Sequence, residues 1–309
     1  MRLKHFILFI GLGFSLIGCG LSVSVGIKKH TIVSDDGDSL VFYIGRKEHS
    51  EPGKKLLVMI QGSGRESIQR RFGWGIEGAA LGFDILYMEK YAFDDSIKFL
   101  NADCRERRTK DIELILKYVD DSVYHNNLYE MLIFADSEGG AISPSVANKT
   151  NAVKRMIIIG NGGLSGLEKI NLVFEKEKRS NKKGYFISSG IDTREKLNGL
   201  LSEIKTNPTT EKYFLGYTYK YWNSYIFYDI DSDYEKLKIP TLVIVGENDM
   251  SIPVESVLVL KDKYKKRENF SFHVIPDVDH SFIDSEGNKK FAEVYRNIIY
   301  PWLDATEIQ

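Results

Sequence analysis

Short apolar runs alternate with amphipathic segments along most of this chain, and that alternation restricts the fold more than any other feature. Residues 103–121 show the helical spacing, with Ile112, Ile115 and Leu116 on one face. Apolar runs separated by helices are typical of βαβ units, so the pattern predicts an α/β fold with a mostly parallel central sheet flanked by helices. The run at 39–45 alternates like an early antiparallel strand. The predicted parallel strands lie within 54–64, 83–89, 129–135, 153–163, 238–249 and 268–282.

The alternation stops between about residues 164 and 238. This segment contains a charge run, "EKEKRSNKKG", and an aromatic stretch, "YFLGYTYKYWNSYIFYDI". Long insertions between strands of a compact domain are often functional lids. We therefore predict a helical cap here, with most aromatic side chains packing the insertion and a few lining a pocket.

The stretch "MLIFADSEGGAISP", residues 131–144, puts Ser137 between a buried strand and a small-residue run. Ala135 and Gly139 have the small side chains that a tight strand-to-helix turn requires. This is the pattern of a GxSxG nucleophile elbow, except that alanine replaces the first glycine. A serine that caps a helix without any catalytic role would give a similar pattern.

A serine nucleophile needs a base and a third group that orients the base. Asp249 follows the apolar strand "TLVIVG", and His280 follows the last predicted strand. Both residues, like Ser137, come after strands whose carboxyl ends share one edge of the sheet, where sites form in open α/β folds. Of the six histidines, only His280 has this position.

From about residue 39 to the C-terminus the chain resembles an α/β-hydrolase, because "ADSEGG", "GENDMSIP" and "DHSF" match the elbow, acid and histidine segments of that family. The resemblance implies a serine hydrolase with Ser137, Asp249 and His280 as catalytic triad, acting on a small-molecule or peptide acyl substrate. It implies a carboxylic ester as substrate first, and an aminopeptidase or amidase activity as the alternative. A catalytically silent binding lipoprotein is a further possibility.

The turn "IQGSG", residues 60–64, resembles the family's oxyanion turn, with glutamine in place of histidine. By that resemblance the backbone N–H groups of Ser63 and Glu138 would form the oxyanion hole, with Gly64 as an alternative donor. Two acidic residues, Asp136 and Glu138, flank the serine. This pair suggests the hypothesis that the pocket has a negative rim suited to a basic or amine-bearing substrate.

Composition excludes some functions. The chain has 42 basic and 43 acidic residues, so it lacks the positive charge expected of a nucleic-acid-binding protein. It contains no HExxH, P-loop or dinucleotide-binding motif, and no metal or organic cofactor is expected. The cysteines are Cys19 and Cys104. We expect Cys104 to pack near the start of a helix whose arginines face solvent, although a thiol hydrolase using Cys104 is a weaker alternative.

The first residues, "MRLKHFILFIGLGFSLIGCG", have a short basic head, an apolar core and small residues, as in a secretory signal. The sequence "LIGC" resembles the bacterial lipobox. The resemblance implies a signal peptide over 1–18, a lipid-modified Cys19, a tether over 19–38 and a hydrolase domain over 39–309. The protein would then be lipid-anchored to a membrane in the bacterial cell envelope. An ordinary cleaved signal or an uncleaved anchor remains open.

Overall fold

The computed structural model describes residues 24–180 and 184–307, and its centre is an eight-stranded sheet. The strand order is β1-β2-β4-β3-β5-β6-β9-β10, and every neighbouring pair from β4 to β10 is parallel. This confirms the predicted α/β fold with a mostly parallel sheet. The strands are β1 (Val25–Val33), β2 (Ser39–Lys47), β3 (Lys55–Ile60), β4 (Phe83–Met88), β5 (Glu130–Asp136), β6 (Val153–Ile159), β9 (Thr241–Gly246) and β10 (Phe270–Ile275).

Helices cover both faces of the sheet, and each face has its own hydrophobic core. One core includes Ile112 and Leu116, and the other includes Trp302 and Leu303 near the C-terminus. Outside the cap, the helices are α1 (Ile76–Ala80), α2 (Ser96–Ala102), α3 (Arg105–Tyr118), α4 (Ser143–Lys149), α10 (Glu255–Tyr264), α11 (Phe291–Val294) and α12 (Tyr300–Ala305).

The predicted tether contains a strand that the sequence analysis did not identify. Within residues 19–38, β1 pairs antiparallel with β2 along its whole length. The connecting turn has Gly37 at a φ of 81°. Because β1 lies at the sheet edge and is largely solvent-accessible, its apolar residues do not alternate strongly, and backbone pairing determines its position. The folded domain therefore begins before residue 39.

The segment between β6 and β9 forms a helical layer over the carboxyl edge of the sheet. Its residues build a separate hydrophobic cluster that includes Phe174, Phe186 and Leu197. A short hairpin turns at Leu215 and Gly216, both at positive φ, as a two-residue type I′ turn requires. The elements are α5 (Gly166–Arg179), α6 (Tyr185–Ser188), α7 (Arg194–Thr206), β7 (Tyr213–Phe214), β8 (Tyr217–Thr218), α8 (Tyr219–Ile226) and α9 (Asp231–Lys236).

Within 24–180 and 184–307, no helix has both the length and the hydrophobicity needed to cross a bilayer. The predicted signal peptide and Cys19 lie outside the described residues.

Candidate active site

Ser137 lies at a sharp turn directly after β5. Its φ is 50°, a left-handed value that is unusual for a residue other than glycine, and a 3₁₀ turn over Ser137–Ala141 follows. A Cβ on Gly139 would lie only 2.3 Å from the carbonyl oxygen of Ile60, so this position requires glycine. Such a strained strand-to-helix turn is the geometry of a nucleophile elbow.

The structure brings together the three side chains that the sequence analysis selected. His280 Nε2 lies 3.0 Å from Ser137 Oγ, and His280 Nδ1 lies 2.6 Å from Asp249 Oδ2. Asp249 is buried, and its Oδ1 accepts hydrogen bonds from the backbone N–H groups of Ser251 and Ile252. The carboxylate accepts a hydrogen bond from Nδ1–H, which leaves Nε2 free to accept the serine proton.

The surroundings of His280 favour its protonated form. Burial lowers the pKa of His280, but the hydrogen bond and negative charge of Asp249 outweigh burial, and the charges of Asp136 and Asp279 add to the effect. The resulting pKa of His280 is higher than the ordinary 6.5. The imidazole is therefore well suited to accept a proton from Ser137.

Two cavities meet at Ser137. The first, which we call the core cavity, has a volume of about 690 Å³ and extends between the sheet and the C-terminal helices, past Leu132, Ile157 and Leu303. The second, the cap cavity, has a volume of about 550 Å³ and lies under the insertion, between α5 and α8. Ser63, one of the predicted oxyanion-hole residues, lines both cavities. Both volumes fall in the range of small-molecule sites.

The side chain of Glu138, the residue after the serine, is buried in a charge network. It accepts hydrogen bonds from Arg108 and from the hydroxyl of Tyr221 in α8, and Lys90 Nζ lies 3.5 Å away. Burial alone would raise the pKa of Glu138, but the charges of Lys90 and Arg108 lower it well below its ordinary value. The pKa of Lys90 falls to about 8, because burial and the charge of Arg108 outweigh the attraction of a carboxylate that Lys90 shares with Arg108.

This network argues against the hypothesis of a negative rim. Two cations neutralise Glu138, and Arg71 lies 3.5 Å from Asp136. Two acidic residues in sequence therefore do not produce two free negative charges at the site. A negative rim requires accessible carboxylates, whereas Glu138 is only 7% exposed.

The arginines at the start of α3 also differ from expectation, because Arg105 and Arg108 are buried. Arg105 lies seven positions before Ile112, and Arg108 lies four positions before Ile112 and seven before Ile115, which places both arginines on the apolar face of the helix. Cys104, just before α3, is buried too and lines neither cavity at Ser137.

Two further residues of the site were not predicted from the sequence. Asn161, just after β6, donates a 2.7 Å hydrogen bond from Nδ2 to the carbonyl oxygen of Ser137, and its Oδ1 accepts one of 2.6 Å from Lys169 in α5. Asn161 belongs to the glycine-rich stretch "GNGG" at the carboxyl edge of the sheet, and that position was the available signal for it. Lys169 has no comparable signal, since it lies in a charged helix like many surface lysines.

The fold is that of the α/β-hydrolases. The model of the family described as Serine hydrolase (FSH1) matches residues 84–280, a range that contains Ser137, Asp249 and His280. The chain belongs to this FSH1 serine hydrolase family and is a hydrolase.

Solved structures agree on the fold. Est1E from Butyrivibrio proteoclasticus is 14% identical, with a TM-score of 0.59, and the match covers 89% of this chain and 98% of that chain. The Pyrococcus furiosus esterase Pf2001 is also 14% identical, with a TM-score of 0.59 and coverages of 96% and 98%. A lipase in its open form has 14% identity, a TM-score of 0.61 and coverages of 91% and 99%. No curated protein sequence matches significantly.

Proposed function

We propose that this hydrolase cleaves carboxylic esters through an acyl-enzyme, with Ser137 as nucleophile, His280 as general base and acid, and Asp249 as the residue that orients His280. One observation carries the proposal: an unbroken hydrogen-bond chain from Ser137 Oγ through the imidazole to a buried carboxylate. Three segments that are distant in sequence supply these groups.

In the proposed mechanism, Ser137 Oγ attacks the acyl carbonyl carbon while His280 Nε2 takes the hydroxyl proton. The backbone N–H groups of Ser63 and Glu138 donate to the oxygen that becomes negative, which is often the largest electrostatic contribution to such catalysis. His280 returns the proton to the leaving alcohol, and Ser137 remains acylated. Water, deprotonated by the same imidazole, then releases the acid.

The cavities support an ester substrate. Apolar side chains dominate the walls on both sides of Ser137, so an acyl chain and an alcohol group can each be held without a charge at the reacting bond. An aminopeptidase would need a free carboxylate to bind the substrate's α-amine. Glu138 does not supply one, because Arg108 and Lys90 already neutralise it.

Labelling by a fluorophosphonate probe tests the nucleophile. A form beginning after Cys19 should be labelled, Ser137→Ala should abolish labelling, and Cys104→Ala should leave it intact. Burial raises the pKa of the Cys104 thiol, which makes it a poor nucleophile. Labelling that survives Ser137→Ala, or no labelling of the parent protein, would contradict the proposal.

Substrate class requires a separate assay. We expect 4-nitrophenyl esters of increasing chain length to be cleaved with kcat/KM values well above those of aminoacyl 4-nitroanilides. Faster cleavage of the anilides would favour the aminopeptidase alternative. A binding protein without turnover would cleave neither series.

We also propose that Cys19 is lipid-modified and anchors the enzyme to a membrane in the bacterial cell envelope. The basic head, apolar core and "LIGC" sequence of the N-terminus support this proposal. Metabolic labelling with a fatty-acid precursor should mark the full chain. A Cys19→Ser protein that still incorporates the label would refute it.

A further inference from the structure

Among the residues that the structure describes, the cap cavity is lined by one cation whose charge is not balanced. Within 24–180 and 184–307, two cationic side chains, Arg105 and Lys169, line this cavity together with Ser137. Aromatic side chains from the cap form much of the remaining wall. A substrate bound under the cap would therefore meet mostly apolar surface and whichever positive charge is free.

Arg105 is already paired with a carboxylate. Its Nη2 lies 3.2 Å from Asp233 Oδ2, its Nε donates to the carbonyl oxygen of Ala141, and its guanidinium carbon lies 3.1 Å from the ring centroid of Tyr228. The carboxylate of Glu138, which also lines the cavity, is neutralised by the cations described above. Neither group leaves a net charge for a ligand.

Lys169 differs, because its hydrogen-bond partner is neutral. Nζ donates to Asn161 Oδ1 at 2.6 Å, and it forms no ion pair with a carboxylate in the described part of the chain. The adjacent Glu168 accepts from the N–H and hydroxyl of Ser165, so it closes the N-terminal cap of α5 instead. Burial in the cavity lowers the pKa of Lys169 to about 7. A bound anion would supply the missing counter-charge.

The position of Lys169 relative to the nucleophile is also suitable. Asn161 joins the two residues, because its Oδ1 accepts from Lys169 while its Nδ2 donates to the carbonyl oxygen of Ser137. Lys169 is thus two hydrogen bonds away from the nucleophile's backbone. The acyl group attached to Ser137 Oγ, or the alcohol part of an ester bound beside it, could reach Nζ with a short side branch.

We propose that Lys169 binds an anionic group of the substrate in the cap cavity, so that this hydrolase prefers esters that carry a carboxylate. The inference rests on the proposed function, since it names the substrate class of that same site. The anion can belong to the acyl part or to the alcohol part of the ester, because either part can occupy the cap cavity.

Two substrate pairs distinguish these positions. For the acyl part, mono-4-nitrophenyl adipate is compared with its methyl ester. For the alcohol part, 4-butanoyloxybenzoic acid is compared with its methyl ester. In each pair only the charge differs appreciably, so the ratio of kcat/KM values, charged to neutral, reports the preference after correction for the uncatalysed rates.

We expect one of the two ratios to fall by about 10- to 100-fold in Lys169→Met, which is the size of a lost hydrogen bond between charged groups. Lys169→Arg should retain most of the preference. Lys176→Met is the matched control, because Lys176 lies on the same helix but pairs with Glu255 away from the cavity. It should leave both ratios unchanged.

The outcomes separate this inference from the proposed function. If the parent enzyme is labelled by the neutral fluorophosphonate probe but neither ratio depends on Lys169, the inference is wrong and the ester hydrolase proposal stands. If Ser137 is not labelled, the proposed function itself fails. A drop in both neutral and charged rates without a change in ratio would show that Lys169 only supports Asn161, and would also overturn the inference.

Discussion

Arg108 connects the two backbone segments that are predicted to form the oxyanion hole, and removing its charge should cost considerable stability. Its Nη1 donates to Glu138, and its Nη2 donates to the carbonyl oxygen of Gln61 at 2.9 Å. The side chains of Arg108 and Glu138 are only 8% and 5% exposed. Replacing Arg108 by methionine keeps much of the volume and removes every hydrogen bond.

The size of the expected stability loss follows from the burial of the Arg108–Glu138 ion pair. Removing one partner of a buried ion pair costs about 3–5 kcal/mol, because the other charge is left without compensation. Here Lys90 Nζ remains 3.5 Å from Glu138, and Tyr221 still donates to the carboxylate. We therefore expect the lower end, a loss of about 3 kcal/mol in the free energy of unfolding of Arg108→Met.

Urea unfolding followed by tryptophan fluorescence measures this loss. Lys110→Met is the control on the same helix, because Lys110 and its partner Asp36 are 45% and 58% exposed, and such pairs contribute little. The double variant Arg108→Met with Glu138→Gln should be more stable than the sum of the two single losses predicts, since it removes both members of the pair. Equal losses for Arg108→Met and Lys110→Met, or strictly additive losses, would refute the reasoning.

Three further outcomes are expected at the triad. Asp249→Asn should lower kcat by roughly 10³- to 10⁴-fold in a steady-state ester assay, since the amide no longer holds the correct tautomer of His280. Protonated His280 cannot accept the Ser137 proton, and its pKa is raised, so the acidic limb of kcat/KM against pH should have its midpoint above 6.5; a midpoint below 6.5 would contradict this. Gly160→Ala would place a Cβ 3.0 Å from His280 Cε1 and should lower kcat, whereas Gly37→Ala, at a similarly positive φ with no neighbour within 4 Å, should strain the backbone without affecting kcat.

The sequence predicted the parallel sheet because its strands are buried on both faces and therefore appear as continuous apolar runs. β1 had no such signal: its partner β2 pairs with it through the backbone, and most of its side chains remain solvent-accessible. The tether predicted over 19–38 was therefore too long at its C-terminal end.

The triad candidates could be predicted from the sequence for a topological reason. Ser137 follows β5 directly, Asp249 lies three residues after the end of β9, and His280 lies five residues after the end of β10. The carboxyl ends of these parallel strands share one edge of the sheet. Arg108 and Lys169 lie on helices, where the neighbours of a side chain depend on how the helix packs. No spacing along the chain indicates that Arg108 meets Glu138 or that Lys169 meets Asn161.

The charge network also accounts for an acidic residue at a position where it should hinder catalysis. Negative charge develops on the substrate oxygen next to the backbone of Glu138 in the proposed mechanism. An unpaired carboxylate roughly 6 Å away would raise that transition state by on the order of 3 kcal/mol at an effective dielectric constant of about 20. Arg108 and Lys90 remove this repulsion, and the pairing simultaneously fixes the elbow to α3 and, through Tyr221, to the cap. A carboxylate beside the nucleophile is therefore compatible with hydrolysis only because buried cations accompany it.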